Sequence, residues 1–224
     1  MKTLIKILII SGLIISAGQV NSQTVNWAGL NDGNKHIINA NIGYEYGLIY
    51  GLGYGHQFKT RLFPFITSIE YSAPSGNNVF DDFKTEIGVQ IRWAELSNFQ
   101  VSTKINGVFR RFENDFANLL NFGSDLAAIV GYYRSRWFVS CEIGFDKAIV
   151  THFKHSEEYQ EFNPIVANGW FEPATGGNFY YGLQAGISFR KTDISLRMGK
   201  VLTQDFKTTP VIPYYVQVGF TKKF

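Results

Sequence analysis

The sequence predicts an all-β protein, an antiparallel up-and-down transmembrane β-barrel of about ten strands, with eight or twelve strands as alternatives. Three observations lead to this fold. Apolar and polar residues alternate along most of the chain with the two-residue period of a strand. Short and long connections between the alternating segments follow one another in turn. Beyond the first segment, no apolar run approaches the roughly 20 residues that a membrane-spanning helix needs.

The first 22 residues are predicted to be separate from the barrel. Lys2 and Lys6 precede an apolar run over residues 7–17, and the residues up to Ser22 suit cleavage before Gln23. We therefore expect a secretory signal peptide over residues 1–22 and a barrel domain over residues 23–224. Without Lys2 and Lys6 the exported part carries 19 basic and 18 acidic residues, so nothing supports nucleic acid as a partner.

Ten alternating segments follow in the exported part. One parity of apolar residues runs from Ile38 to Phe58, which is too long for a single strand, so we expect a hairpin turn at residues 45–47 to divide it. The segment from Leu126 to Val130 is apolar on both faces, which leaves its orientation open. The later segments begin at Phe63, Ile87, Phe99, Leu126, Trp137, Tyr181, Ile194 and Tyr214.

The connections between these segments alternate in length. Four are short, over residues 59–62, 94–98, 134–136 and 191–193. Four are long, over residues 72–82, 112–121, 151–177 and 202–211. Membrane-spanning barrels have tight turns at one end and longer loops at the other, so this alternation favours the same fold.

The last segment carries a family resemblance. One face of its strand is apolar and ends on an aromatic residue. The residues of this face are Tyr214, Val216, Val218, Phe220 and Phe224, and Lys222 is the one polar residue among them. It resembles the closing strand and assembly signal of outer-membrane β-barrel proteins. The resemblance implies a porin-like barrel in the outer membrane of a Gram-negative envelope, surrounded by membrane lipid and inserted by the barrel-assembly machinery. In such barrels the short turns face the periplasm and the longer loops face outward, so Phe224 and the four short connections are expected on the periplasmic side.

A soluble secreted barrel with its apolar face inward is the alternative arrangement. The polar parity is rich in Gly, Ser, Asn and Gln, unlike the Lys- and Glu-rich exterior of a soluble protein. Aromatic residues such as Trp93, Phe99 and Trp137 lie near the predicted strand ends, where they would meet the membrane interfaces. The apolar parity is therefore predicted to face lipid.

With the polar parity inward, the lumen is predicted to hold many charged side chains. A barrel of about eight strands is filled by its own side chains, and a barrel of ten strands is close to that size. An unpaired buried charge is costly, so we expect these charges to pair and to plug the lumen. A narrow pore is the alternative, and the excess of seven cations over four anions would then favour anions. The predicted lumen residues are Glu70, Lys84, Glu86, Arg92, Lys104, Arg110, Glu142, Asp146, Arg190, Arg197 and Lys223.

The longest predicted outer loop, over residues 151–177, contains a candidate recognition patch. Its members are His152, His155, Trp170 and Phe171, and Trp and Phe on a surface loop suit contact with a sugar, a peptide or another partner. The two histidines lack the spacing of a metal-binding motif, so we predict no metal site and no cofactor.

The leading functional prediction is therefore a structural or interaction protein with a filled lumen and outer loops that contact a partner or ligand. An outer-membrane enzyme acting on lipid or peptide is a second alternative to the pore. The Asp-x-His pair of outer-membrane proteases does not occur in the sequence, and no catalytic residue is predicted.

Overall fold

A computed structural model describes residues 25–30, 33–45, 47–60, 62–75, 82–173, 177–208, 210 and 212–224, so the predicted signal peptide lies outside the described residues. No helix among these residues is long and apolar enough to cross a membrane. A short 3-10 turn at Trp27–Gly29 precedes the strands, and a helix α1 covers Glu157–Phe162. The strands are β1 (His36–Tyr44), β2 (Leu48–Phe58), β3 (Phe65–Pro74), β4 (Asp82–Leu96), β5 (Phe99–Glu113), β6 (Ala117–Tyr133), β7 (Trp137–His155), β8 (Gly169–Phe171), β9 (Gly177–Phe189), β10 (Thr192–Thr203) and β11 (Tyr214–Lys223).

Ten of these strands form a closed antiparallel barrel. Consecutive strands pair from β1 to β7, and β7 then pairs with β9, β9 with β10 and β10 with β11. The barrel closes where β11 pairs with β1, from Ile37 opposite Lys223 to Tyr44 opposite Val216. The predicted up-and-down barrel of ten strands is confirmed. The short strand β8 was not predicted and pairs only with the far end of β7.

The apolar side chains face outward. Leu52 is 65% exposed and Ile87 62% exposed, whereas Gln217 and Lys223 on the inner face are fully buried. The alternative of a soluble barrel with an apolar interior is therefore wrong. The structure also orients the ambiguous stretch of β6, because Leu126 points outward while Ala127 and Ile129 are buried inside. Both faces are apolar there because the lumen is partly packed with apolar side chains at that level.

Two aromatic belts mark the membrane interfaces on the outer face. The upper belt crosses five strands with ring centroids 5.0–6.0 Å apart, and the lower belt includes Phe99 beside Tyr132 and Phe63 beside Trp93. On β5 the belts are separated by the ten steps from Phe99 to Phe109, about 33 Å along the strand. At the usual strand tilt this gives a band about 25 Å tall, the height expected of a transmembrane barrel. The upper belt consists of Tyr71, Phe83, Phe109, Phe122 and Trp170.

Three strands continue beyond the upper belt, and this corrects the predicted outer loops. Strands β5, β6 and β7 have 15, 17 and 19 residues. The predicted long loop over residues 112–121 is mostly strand, and only residues 114–116 connect β5 to β6. The predicted loop over residues 151–177 begins with five residues of β7 and also contains α1 and β8. These strands can extend into water because their neighbours satisfy each other's backbone hydrogen bonds.

Candidate functional site in the lumen and the outer lobe

The centre of the lumen is occupied by a buried ion pair between β10 and β7. The Nε and Nη2 atoms of Arg197 each lie 2.5 Å from Oε1 of Glu142. The hydroxyl of Tyr215 donates to the same oxygen at 2.8 Å, and the guanidinium lies 4.6 Å from the centre of the Tyr215 ring. Nη1 of Arg197 also donates to Oε1 of Gln217 at 3.3 Å. These side chains come from three strands and are all buried in the lumen.

A second polar group extends the filled layer across the other side of the lumen. Nζ of Lys84 lies 2.9 Å from Oε1 of Glu86. The amide of Asn106 donates to Glu86 at 3.0 Å and to Asp125 at 3.3 Å, and the hydroxyl of Tyr180 donates to Asp125 at 2.9 Å. Gly144 makes room for this arrangement, because a Cβ there would collide with the Tyr180 ring. The luminal glycine is thus needed for packing.

Glu70 is held separately on β3. Its carboxylate accepts a hydrogen bond from Asn41 at 2.8 Å and another from Asn39 at 3.2 Å. Both asparagines lie on β1, opposite Gly51 and Gly53 of β2, where a Cβ would strike the asparagine side chains. The small residues of β2 therefore allow polar side chains from neighbouring strands to reach Glu70.

The structure places the predicted lumen residues in three groups. Six are buried in the filled layer: Glu70, Lys84, Glu86, Lys104, Glu142 and Arg197. Four line the lumen nearer its ends. Arg92 lies 5.3 Å from the Trp27 ring, and Arg110 lies 3.8 Å from Asp82. Asp146 accepts from Asn178 at 3.5 Å, and Lys223 lies 2.9 Å from Asp193. Arg190 is not in the lumen. It is exposed in the turn between β9 and β10 with a φ of 56°, because the strand alternation stops at Phe189.

Sequence reasoning missed four luminal carboxylates, and they reverse the expected charge balance. Asp125 lies beside the ambiguous stretch of β6, while Glu45, Asp82 and Asp193 lie in or next to predicted turns. Without Arg190, the described lumen holds six cations, Lys84, Arg92, Lys104, Arg110, Arg197 and Lys223. It holds eight acidic residues, Glu45, Glu70, Asp82, Glu86, Asp125, Glu142, Asp146 and Asp193. The excess of cations on which the predicted anion preference rested is absent.

Residues 25–30, which we call the periplasmic plug, lie inside the lower mouth of the barrel. Asn26 is fully buried, and its amide donates to the Arg134 carbonyl at 2.9 Å and to the Ser188 hydroxyl at 2.7 Å. Trp27 packs in an apolar cluster with side chains of the barrel wall, Ile37, Ile66, Tyr133 and Phe138. The plug was not predicted, because a segment of six residues without strand alternation carries no periodic signal.

Above the upper belt, residues 113–117 and 151–172 form an ordered structure that we call the outer lobe. The backbone N–H of Ser156 donates to the Phe116 carbonyl at 2.9 Å, and the Ser156 hydroxyl caps α1 by accepting from Tyr159 N at 3.3 Å. The side chain of Asn168 accepts from His155 N at 2.8 Å. Five large apolar side chains of the lobe are exposed: Phe116, Phe162 at 78%, Ile165 at 96%, Trp170 and Phe171.

The predicted recognition patch is divided between the two faces of the lobe. His152 lies against Trp170 at 4.9 Å on the lipid-facing side, where Trp170 extends the upper belt. Phe171 packs against Phe153 at 5.5 Å, and His155 stacks on Tyr159 at 5.4 Å. Neighbouring residues of a strand point to opposite faces, so these four side chains do not converge. Among the described residues no three His, Cys, Asp or Glu side chains are placed to hold a metal ion.

Known structures resemble this chain in fold. An outer membrane channel from Pseudomonas putida matches over 91% of this chain and 100% of that one, with 10% sequence identity and a TM-score of 0.51. The KdgM porin matches over 84% of this chain and 99% of that one, with 12% identity and a TM-score of 0.42. No protein-family model and no curated protein matches the chain. The closed fold, the lipid-facing apolar surface and the likeness to the channel show the fold of an outer-membrane β-barrel.

Proposed function

We propose that the protein works as a closed barrel that presents its outer lobe to a partner at the cell surface, and that it is not an open channel. The observation that carries this proposal is the filled lumen, in which Lys84, Glu86, Glu142 and Arg197 are all nearly fully buried although the surrounding strands form a cylinder. The plug adds a second closure at the periplasmic mouth. What remains accessible from outside is the outer lobe.

The lobe has the chemistry of an interaction surface. Exposed Phe162 and Ile165 bury no apolar area within the barrel, so they contribute little to folding and are free to contact another molecule. The charged residues around them are mostly acidic, and two cations, Arg111 and Lys154, accompany them. We therefore expect the partner to carry positive charge next to an apolar patch. The acidic residues are Glu113, Asp115, Glu157, Glu158, Glu161 and Glu172.

A narrow solute pore is the second candidate, and the fold likeness to an outer membrane channel favours it. In that case the plug would be the closing element, and its removal would open the lumen. In the closed barrel the central ion pair blocks the axis whether or not the plug is present. The two candidates therefore differ in what deletion of residues 25–30 does.

In planar bilayers we expect neither the wild-type barrel nor a variant lacking residues 25–30 to produce steady current steps. The physical reason is that Arg197, Glu142 and Tyr215 fill the axis independently of the plug. Heat-modifiable migration on gels serves as the control that both proteins are folded. Steps in the variant alone would support the gated pore, and steps in the wild type would refute the closed barrel.

A photo-reactive amino acid placed at Ile165 in the native cells tests the outer lobe. We expect a discrete cross-linked product whose yield falls as salt is raised, because exposed charge pairs are screened. The matched control is the same amino acid at Lys207, which is exposed in the β10–β11 loop. Equal products from both positions, or none from Ile165, would contradict a partner at the lobe.

A further inference from the structure

Two histidines face each other across neighbouring strands near the periplasmic rim. His36 begins β1 and lies directly opposite His56 of β2 in the strand register. Both side chains are on the outward face, His36 exposed and His56 half-buried. Directly opposed residues of an antiparallel pair have Cβ atoms about 5 Å apart, close enough for both rings to reach one small ligand.

From this pair we infer a binding site for a divalent transition-metal ion such as Zn²⁺. The two Nδ1 atoms lie 3.4 Å apart. A tetrahedral ion with Zn–N bonds of about 2.0–2.1 Å holds two ligand nitrogens about 3.4 Å apart. A hydrogen bond donated by nitrogen is usually about 2.7–3.2 Å long, so the separation fits shared coordination better than a direct bond between the rings.

The neighbouring aromatic residues hold the pair in place. The His56 ring packs edge-on against Phe58 with centroids 4.6 Å apart, which restricts its rotation. The Tyr54 hydroxyl is hydrogen-bonded to His36 Nδ1 at 2.7 Å, so an ion bound at this nitrogen displaces the hydroxyl. With two imidazoles as its nitrogen ligands, the ion takes its remaining ligands from water at the rim. The site is therefore exchangeable, unlike a closed structural zinc centre.

Titration of the detergent-purified barrel with Co²⁺, on protein carrying a purification tag without histidine, tests the site. We expect one Co²⁺ per barrel, with the visible absorption of a low-symmetry cobalt centre that Zn²⁺ then displaces. His36→Asn and His56→Asn should each weaken the affinity at least tenfold, because each removes one of two nitrogen ligands. Tyr54→Phe removes the hydroxyl bonded to His36 Nδ1 and should not weaken the affinity.

The matched control is the double variant His152→Asn/His155→Asn, which removes the other two histidines of the chain and should bind Co²⁺ as the wild type does. The substituted side chains at positions 36 and 56 face outward, and heat-modifiable migration verifies that each barrel is folded. Equal Co²⁺ binding by wild type and a His36→Asn/His56→Asn double variant would overturn the site. So would loss of binding in the His152→Asn/His155→Asn control alone.

Discussion

Arg197→Ala is expected to lower the free energy of unfolding by about 3–5 kcal/mol, since removing one member of a buried ion pair leaves the other charge in a low-dielectric interior. Arg197 and Glu142 are both nearly fully buried, and the Tyr215 hydroxyl is too weak a partner to compensate the Glu142 carboxylate alone. Urea unfolding in detergent micelles, followed by tryptophan fluorescence, measures the difference. Arg136→Ala, an exposed arginine in the β6–β7 turn, is the matched control and should change the value by less than about 0.5 kcal/mol.

A double substitution separates the lost charge from the lost volume. Arg197→Met keeps most of the side-chain volume but still strands Glu142, so we expect it to be nearly as damaging as Arg197→Ala. Adding Glu142→Gln removes the stranded charge, and we expect the double variant to regain part of the stability. A double variant that is less stable than Arg197→Met would show that the ion pair is not what holds this part of the lumen.

The barrel itself could be predicted because the physics of a strand enforces a period of two. Lipid on one side and a polar lumen on the other leave opposite signatures on alternate residues, as along β11 from Tyr214 to Lys223. The same rule placed Glu142 and Arg197 in the lumen before any contact was known. It could not say that they meet each other, because the two residues are 55 positions apart in the chain and their strands, β7 and β10, are separated by β9.

The sequence predictions failed where the alternation of apolar and polar residues is absent or interrupted. Arg190 follows the last strand residue and turns away, while Asp125 precedes a stretch that is apolar on both faces. The plug depends on Trp27 and Asn26 fitting a mouth built from distant strands, which no local pattern reveals. The outer lobe was predicted as loop because the strand ends that form it carry Asn and charged residues. These strand ends pair above the membrane because the neighbouring strands β6 and β7 are of similar length.

Glu45→Gln is expected to stabilise the barrel in alkaline solution and to have little effect in acid. Glu45 lies in the β1–β2 turn, outside the strands, and its buried carboxyl has no hydrogen-bond partner among the described residues. Burial raises the pKa of Glu45 from 4.5 to about 8, while the nearby Lys84, Arg197 and Arg110 partly oppose this rise. The folded carboxyl is therefore neutral near pH 7, although three cations lie near it.

The sign of the pH dependence follows from proton binding. Between about pH 4.5 and about pH 8 the folded chain keeps a proton on Glu45 that the unfolded chain has lost, so the free energy of unfolding falls as the pH rises through this window. Each pKa unit corresponds to about 1.4 kcal/mol, which sets an upper limit of roughly 5 kcal/mol on the cost of ionising the folded carboxyl. Glutamine keeps the shape but carries no charge at any pH, so the variant escapes this cost.

We therefore expect Glu45→Gln to gain at least about 2 kcal/mol over the wild type near pH 9 and to match it within about 0.5 kcal/mol near pH 5. Urea unfolding at both pH values measures this difference. Glu161→Gln, an exposed position on α1, is the matched control and should change stability by less than about 0.5 kcal/mol at either pH. A stability difference that is the same at both pH values would mean that Glu45 is already ionised in the folded barrel. Its charge would then be balanced by Lys84, Arg110 and Arg197, and the outer end of the lumen would hold an ion-paired carboxylate in place of a neutral acid.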